Sequence, residues 1–215
     1  MVTTRSRTNP TASSTAETKK TTSSSAPPSK KAAASKTAPK KKAEEEEGGG
    51  GDSKSKKTLE VGDALPEETP KLVVHTDEDT EGKGTTLGEL VKESERGVVM
   101  FFYPAASTPG CTNQANFFQE NLEKFTKKGY TVCGCSKDKP AAQTKWHTKH
   151  SLGYNLYTDS NADTAELVGL LKAGRKMQRG IVIVEKVDGG GKVVAGGAYG
   201  PEASVNAALK YVEAA

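Results

Sequence analysis

Phe101-Phe102-Tyr103-Pro104-Ala105-Ala106-Ser107-Thr108-Pro109-Gly110-Cys111-Thr112 runs from an apolar segment, through a turn, to a cysteine at the start of a helix. Gly97 to Tyr103 is almost unbroken in its apolar character, which suits a strand covered on both faces. Thr108 is placed to act as an N-cap, with Pro109 at the first helical position. Ala115, Phe118, Leu122 and Phe125 then recur at helical spacing, and Gly129 ends the segment. Cys111 therefore falls in the first helical turn. There the unpaired backbone N–H groups and the positive end of the dipole favour a thiolate over a thiol. A reactive cysteine is expected here, whereas a cysteine without such a context is most often a small buried hydrophobe.

Pro104, Thr108 and Cys111 form a P-x-x-x-T-x-x-C pattern that resembles the active-site signature of peroxiredoxins. The longer string Tyr-Pro-x-x-x-Thr-Pro-Gly-Cys-Thr resembles the peroxiredoxin Q, or bacterioferritin comigratory protein, branch. Ala-Ser-Thr-Pro-Gly-Cys-Thr within it looks most like fungal nuclear thiol peroxidases. The resemblance extends from Leu59 to Glu213 through Val61-Gly62-Asp63-Ala64-Leu65-Pro66, Gly134-Cys135-Ser136, Leu156-Tyr157-Thr158-Asp159 and Gln178-Arg179-Gly180-Ile181-Val182-Ile183-Val184. It implies a thioredoxin-like α/β fold, a central mixed β-sheet flanked by helices. It also implies a thiol-dependent peroxidase with Cys111 as nucleophile, Thr108 and Arg179 as polar partners of the reacting atoms, and Pro104 shaping the loop. Hydrogen peroxide or an alkyl hydroperoxide would be the substrate. Thioredoxin, glutaredoxin or a small thiol would be the reductant.

The alternation of segments agrees with that class. Strands are expected at Lys71 to His75, Gly97 to Tyr103, Tyr130 to Ser136 and Tyr154 to Thr158. Helices are expected near Leu87 to Glu93, at Pro140 to His150, at Ala162 to Leu171 and at Pro201 to Glu213. A hairpin joins Gly180 to Lys186 and Lys192 to Gly196 around Asp188-Gly189-Gly190-Gly191.

The peroxiredoxin Q branch often carries a second cysteine five residues after the first, and here that position is Asn116. Cys133 and Cys135 are the other two cysteines. They lie two apart on a strand, so about 6.6 Å separates their Cα atoms. That is near the upper limit for a bridge. Cys135 is the candidate resolving cysteine. The leading reading is nonetheless that both are buried core thiols and that the reductant is external. A C-x-x-C reductase is a weak reading, because positions 108 and 114 are Thr and Gln.

Of the 215 residues only 33% are apolar, and no Phe, Tyr or Trp precedes Phe101. Residues 1–57 carry thirteen Lys and Arg against six acids, a net of +7, which leaves the remainder at −3. Such a segment buries too little apolar surface to offset its ordering entropy, so 1–57 reads as a disordered basic tail and 58–215 as one folded domain. The Lys40-Lys41-Lys42 stretch, the acidic Glu44 to Glu47 and the Gly48 to Gly51 linker leave three readings open. These are a solubilising tail, a nuclear-targeting or weak phosphate-dominated nucleic-acid contact, and a transit peptide. The nucleus is the expected location, with cytoplasm and then plastid as alternatives. No apolar leader or membrane-length run is expected to anchor the chain. A monomer is expected. No metal or organic cofactor is required: His75, His147 and His150 form no ligand pattern. A peroxide sensor passing oxidation to a partner is the alternative function.

Overall fold

The computed structural model describes residues 58–76 and 84–215. The expectations for 1–57 lie outside them. The described residues all belong to one unit, Asp52–Ala215.

Among the described residues nine strands and six helices follow in the order β1 (Lys71–Val74), β2 (Gly84–Thr86), α1 (Leu87–Glu93), β3 (Gly97–Phe102), α2 (Pro109–Glu120), α3 (Leu122–Thr126), β4 (Tyr130–Ser136), α4 (Pro140–His150), β5 (Leu156–Thr158), α5 (Asp163–Leu167), β6 (Leu171–Lys172), β7 (Lys176–Met177), β8 (Gly180–Val187), β9 (Gly190–Ala198) and α6 (Pro201–Ala214). Seven strands form a sheet in the order β2-β1-β5-β4-β3-β8-β9. The inner pairs β3/β4 and β4/β5 are parallel, and the remaining pairs are antiparallel. This is the mixed sheet of a thioredoxin-like fold. Among the described residues no helix is long and apolar enough to cross a membrane.

β3 is the centre of the molecule, and every one of its residues is buried. Successive side chains of a strand point to opposite faces. Val99, Phe101 and Tyr103 accordingly pack with Ala115 and Phe118 of α2, Phe125 of α3, Trp146 of α4 and Val205, Ala208 and Val212 of α6. Val98, Met100 and Phe102 pack on the other face with Leu87, Leu90 and Val91 of α1 and Ala165 of α5. Phe101 and Phe118 stack with their centroids 4.6 Å apart. Truncating either to Ala is expected to cost about 3–5 kcal/mol. Gly134 of β4 makes room for this ring, since a Cβ there would lie 2.6 Å from Phe101 Cζ.

Several boundaries differ from the sequence reading. The helix expected to run unbroken from Pro109 to Gly129 is two helices. Asn121 breaks it, with φ −106° and ψ 7°, and its side-chain amide donates to the Phe117 carbonyl. Such a bond competes with the helical ladder. The helix expected over Ala162 to Leu171 stops at Leu167, because Gly169 turns at φ +73° and Leu171 enters a small hairpin with β7. The short strands β2, β6 and β7 were not expected; two or three residues show no period. The β8–β9 hairpin is longer than expected and reaches Ala198.

Candidate active site

Cys111 sits in the first turn of α2, buried to 1% exposure. Thr108 holds the N-cap position and Pro109 opens the helix, as the sequence predicts. The Thr108 hydroxyl does not cap, however. It donates to the Ala105 carbonyl at 3.0 Å, while the Thr108 carbonyl accepts from Thr112 N at 2.9 Å. Its proton is thus committed to the loop.

Arg179 comes from the residue before β8 and reaches the helix terminus across the fold. Its Nη2 lies 3.1 Å from Cys111 Sγ. Its Nε donates to Gln114 Oε1 at 3.2 Å. Gln114 is fully buried, and its amide nitrogen donates to Ser204 Oγ at 3.2 Å. Ser204 in turn donates to the Pro201 carbonyl at 2.7 Å, at the start of α6. The guanidinium is therefore aimed by a chain of bonds through α2 and α6. Gly110 completes the fit, because a Cβ there would lie 3.2 Å from Arg179 Nη2.

The loop between β3 and α2 is anchored from the side. Ala106 N donates to Asp138 Oδ2 at 2.6 Å, and Ser136 Oγ donates to the same oxygen at 2.9 Å. Trp146 Nε1 donates to Thr112 Oγ1 at 3.3 Å, tying α4 to the cysteine's neighbour. Ser107 adopts φ +63°, the left-handed region that non-glycine residues rarely enter. Pro104 is exposed and borders a groove of about 370 Å³ shared with Lys172, Met177, Gln178, Arg179, Ala198, Tyr199 and Gly200. Arg179, which contacts Cys111, is one of its walls.

The other two cysteines face away. β3 and β4 pair in parallel with Met100 opposite Cys133 and Phe102 opposite Cys135. Both thiols share the cluster of Met100 and Phe102, whereas Cys111 shares that of Phe101 and Tyr103. Cys135, the candidate resolving cysteine, thus lies across the sheet from Cys111. All three thiols are free. Burial pushes the thiols of Cys133 and Cys135 well above the ordinary cysteine range, and the nearby Asp159 carboxylate raises Cys135 further. Asn116 is half-buried within α2, five residues after Cys111.

Of the residues the sequence singled out, the fold joins Cys111 and Arg179 directly, sets Thr108 and Pro104 on the same loop, and separates Cys135. Gln114, Ser204, Gly110 and Asp138 were missed. Gln114 had one legible signal, a polar side chain three residues from Cys111 and beside the apolar Ala115. Ser204 had none. Among the described residues, no group of three or more His, Cys, Asp or Glu is placed to hold a metal ion.

A family model described as the AhpC/TSA family matches residues 61–193. The chain is 34% identical over 139 residues to peroxiredoxin bcp1 of Schizosaccharomyces pombe, covering 64% of this chain and 67% of that protein. It is 32% identical over 144 residues to the chloroplastic peroxiredoxin Q of Gentiana triflora, covering 64% of this chain and 62% of that one. These alignments span about two thirds of the relatives' lengths. The crystal structure of peroxidoxin BcpB from Mycobacterium tuberculosis superposes with a TM-score of 0.62 at 26% identity, over 73% of this chain and 97% of that one. A peroxiredoxin Q of Xylella fastidiosa shares the fold at a TM-score of 0.61 and 18% identity, over 74% and 98%. The motif read at Cys111, the sheet that presents it and the match over 61–193 agree: the chain belongs to the AhpC/TSA family of thiol-dependent peroxidases.

Proposed function

We propose that Cys111 reduces hydrogen peroxide and alkyl hydroperoxides through a sulfenic acid. The thiolate attacks the terminal peroxide oxygen and the S–O bond forms as the O–O bond breaks. The departing oxygen keeps the electron pair, takes a proton and leaves as water or an alcohol. Cys111 is oxidised to sulfenic acid. The observation that carries this reading is Arg179 Nη2, 3.1 Å from Cys111 Sγ. A fixed cation there stabilises the thiolate, and it also stabilises the charge that develops on the departing oxygen. A thiolate's nucleophilicity falls as its basicity falls, so most of the acceleration comes from orientation and charge stabilisation. Thr108 serves the peroxide by turning its hydroxyl from the Ala105 carbonyl to the reacting oxygens. Pro104, with no N–H of its own, shapes the loop without competing for the peroxide.

The sulfenic acid is resolved by an external thiol: thioredoxin, glutaredoxin or a small-molecule reductant. The far-face position of Cys135 and the Asn116 substitution support this one-cysteine cycle. A Cys111–Cys135 bridge requires α2 to unwind and the strand to turn its face. The same separation favours a second reading, a peroxide sensor whose long-lived sulfenic acid passes to a partner thiol as a mixed disulfide. The +7 charge of residues 1–57 supports a nuclear location and a salt-sensitive contact with nucleic acid. The protein acts as a monomer in this reading.

Stopped-flow peroxide consumption with a thiol donor tests the proposal on the wild type and on each Cys→Ser variant. Cys111→Ser is expected to abolish turnover while Cys133→Ser and Cys135→Ser retain most of it. Single-turnover oxidation without multiple turnovers, whatever the donor, selects the sensor. Wild-type-like consumption by the Cys111 variant contradicts both readings.

A further inference from the structure

The β6–β7 hairpin carries charges that the peroxidase reaction leaves unexplained. Lys172 and Lys176 are register partners across its two strands. Like charges directly opposite on paired strands destabilise the pair. Both side chains are exposed, and among the described residues neither has an ion-pair partner. The third cation of the hairpin is used differently. Arg175, at the turn, pairs with Asp163 and Glu166 and donates to the Asn161 carbonyl. It fastens the hairpin to α5 and leaves the two lysines projecting from an anchored platform.

Lys172 borders the groove that leads to Arg179. That groove holds two cations and no carboxylate, and its other walls are Pro104, Met177, Ala198 and Tyr199 with Gln178 and Gly200. Tyr199 is one of three large apolar side chains left exposed among the described residues. We infer that Lys172 and Lys176 form an anion subsite which holds the carboxylate of a small organic molecule while its reactive end reaches Cys111 along the groove. The inference rests on the peroxidase reading of Cys111.

Two kinds of molecule share this chemistry. One is a carboxylate-bearing hydroperoxide, which would give its terminal oxygen to Cys111. The other is a carboxylate-bearing small thiol. Its sulfur attacks the Cys111 sulfenic sulfur, an S–S bond forms as the S–O bond breaks, and the hydroxide takes a proton and leaves as water. A second thiolate then attacks the small-molecule sulfur of the mixed disulfide. Cys111 leaves as thiolate, and the oxidised small disulfide is released.

Charge-matched probes on the full chain separate these sources. In the first arm, oxidised protein is reduced by 3-mercaptopropionate, 2-mercaptoethanol or cysteamine, with rates corrected for thiolate fraction. In the second, reduced protein reacts with a fatty-acid hydroperoxide or with uncharged cumene hydroperoxide. The anionic probe is expected to react roughly tenfold faster than the neutral one in at least one arm at low salt. Lys172→Gln/Lys176→Gln should remove that preference and Lys172→Glu/Lys176→Glu should invert it, with the hydrogen peroxide rate unchanged. Preference in the thiol arm assigns the subsite to the reductant, and preference in the hydroperoxide arm assigns it to the substrate. Equal rates in both arms, or a preference that survives the Gln variant, overturn the inference. NMR titration with 3-phenylpropionate, which cannot react, reads the subsite independently of turnover. Shifts at Lys172, Lys176 and Tyr199, lost in the Gln variant, are expected, and their absence overturns the inference. Loss of hydrogen peroxide turnover with these shifts intact would instead remove the peroxidase reading.

Discussion

The guanidinium of Arg179 lies 3.1 Å from the sulfur of Cys111, although 68 residues separate the two in the chain. One comes from the end of a loop before β8 and the other from the first turn of α2. The pairing of β3 with β8 brings them together, with Phe102 opposite Gly180. The Cys111–Arg179 contact therefore depends on a long-range register as well as on a local motif.

Arg179→Gln should lower the rate of peroxide reduction by about 10²-fold or more, the usual consequence of removing a charged donor from a reacting centre. Arg179→Lys should fall between it and the wild type, because Lys keeps the charge and loses the two-pronged geometry. Single-turnover kinetics with hydrogen peroxide check both. A Gln variant within twofold of the wild type would remove Arg179 from the mechanism.

In the proposed mechanism Gln114 acts as a positioning residue, since it accepts from Arg179 Nε. Gln114→Leu removes the acceptor for Arg179 Nε and should slow both peroxide reduction and iodoacetamide alkylation of Cys111 by roughly tenfold. This is the equivalent of one lost hydrogen bond to a charged group. Gly110→Ala should act in the same direction by displacing the guanidinium. Gln114→Glu retains the acceptor and should recover most of the alkylation rate. Equal losses in the Leu and Glu variants would indicate a packing effect instead.

Alkaline stability reports on the far-face cysteines. Burial raises the thiols of Cys133 and Cys135 in the folded protein. In the unfolded chain they ionise near pH ~8.5. The unfolded state therefore releases these protons first. The stability they allow is complete below pH ~8.5 and is lost as the pH rises above it, by up to about 1.4 kcal/mol per pH unit for each thiol. Urea titrations of Cys133→Ala/Cys135→Ala between about pH 8.5 and 10 should show a shallower decline than the wild type. Parallel slopes would contradict the burial of these thiols.

Removing residues 1–57 should leave thermal stability and peroxide turnover unchanged, and should weaken retention on a polyanion resin at low salt. The basis is the +7 charge without aromatic content. A lowered melting temperature or lost turnover would show that the tail belongs to the fold.

Much of this was legible in the chain. The apolar run of β3, the prolines opening α2, α4 and α6, and the glycine-rich turn before β9 are strong local signals. The three helix starts and β3 fell where the sequence put them, while β9 opens at Gly190 within the expected turn. The break at Asn121 was not legible, because the apolar spacing continues through it and only the side chain's bond to Phe117 interrupts the ladder. The hairpin of β6 and β7 was hidden for a similar reason, since two-residue strands carry no period. At the site, the cysteine and its helix terminus could be read from local pattern, and Arg179 from the family resemblance. The aiming network of Gln114 and Ser204 could not, because it spans 90 residues and exists only once α2 and α6 pack. The opposite facing of Cys135 follows from the pairing of β4 with β3, which alternation within one strand does not reveal.

The central claim is that Cys111 alone carries the oxidation. It is tested most directly by oxidising the reduced full chain with one equivalent of hydrogen peroxide in the presence of dimedone, then mapping its peptides by mass without reduction. The account predicts a dimedone adduct on Cys111 with Cys133 and Cys135 recovered as free thiols. A dominant Cys111–Cys135 disulfide, or oxidation at either far-face cysteine with Cys111 intact, would contradict it.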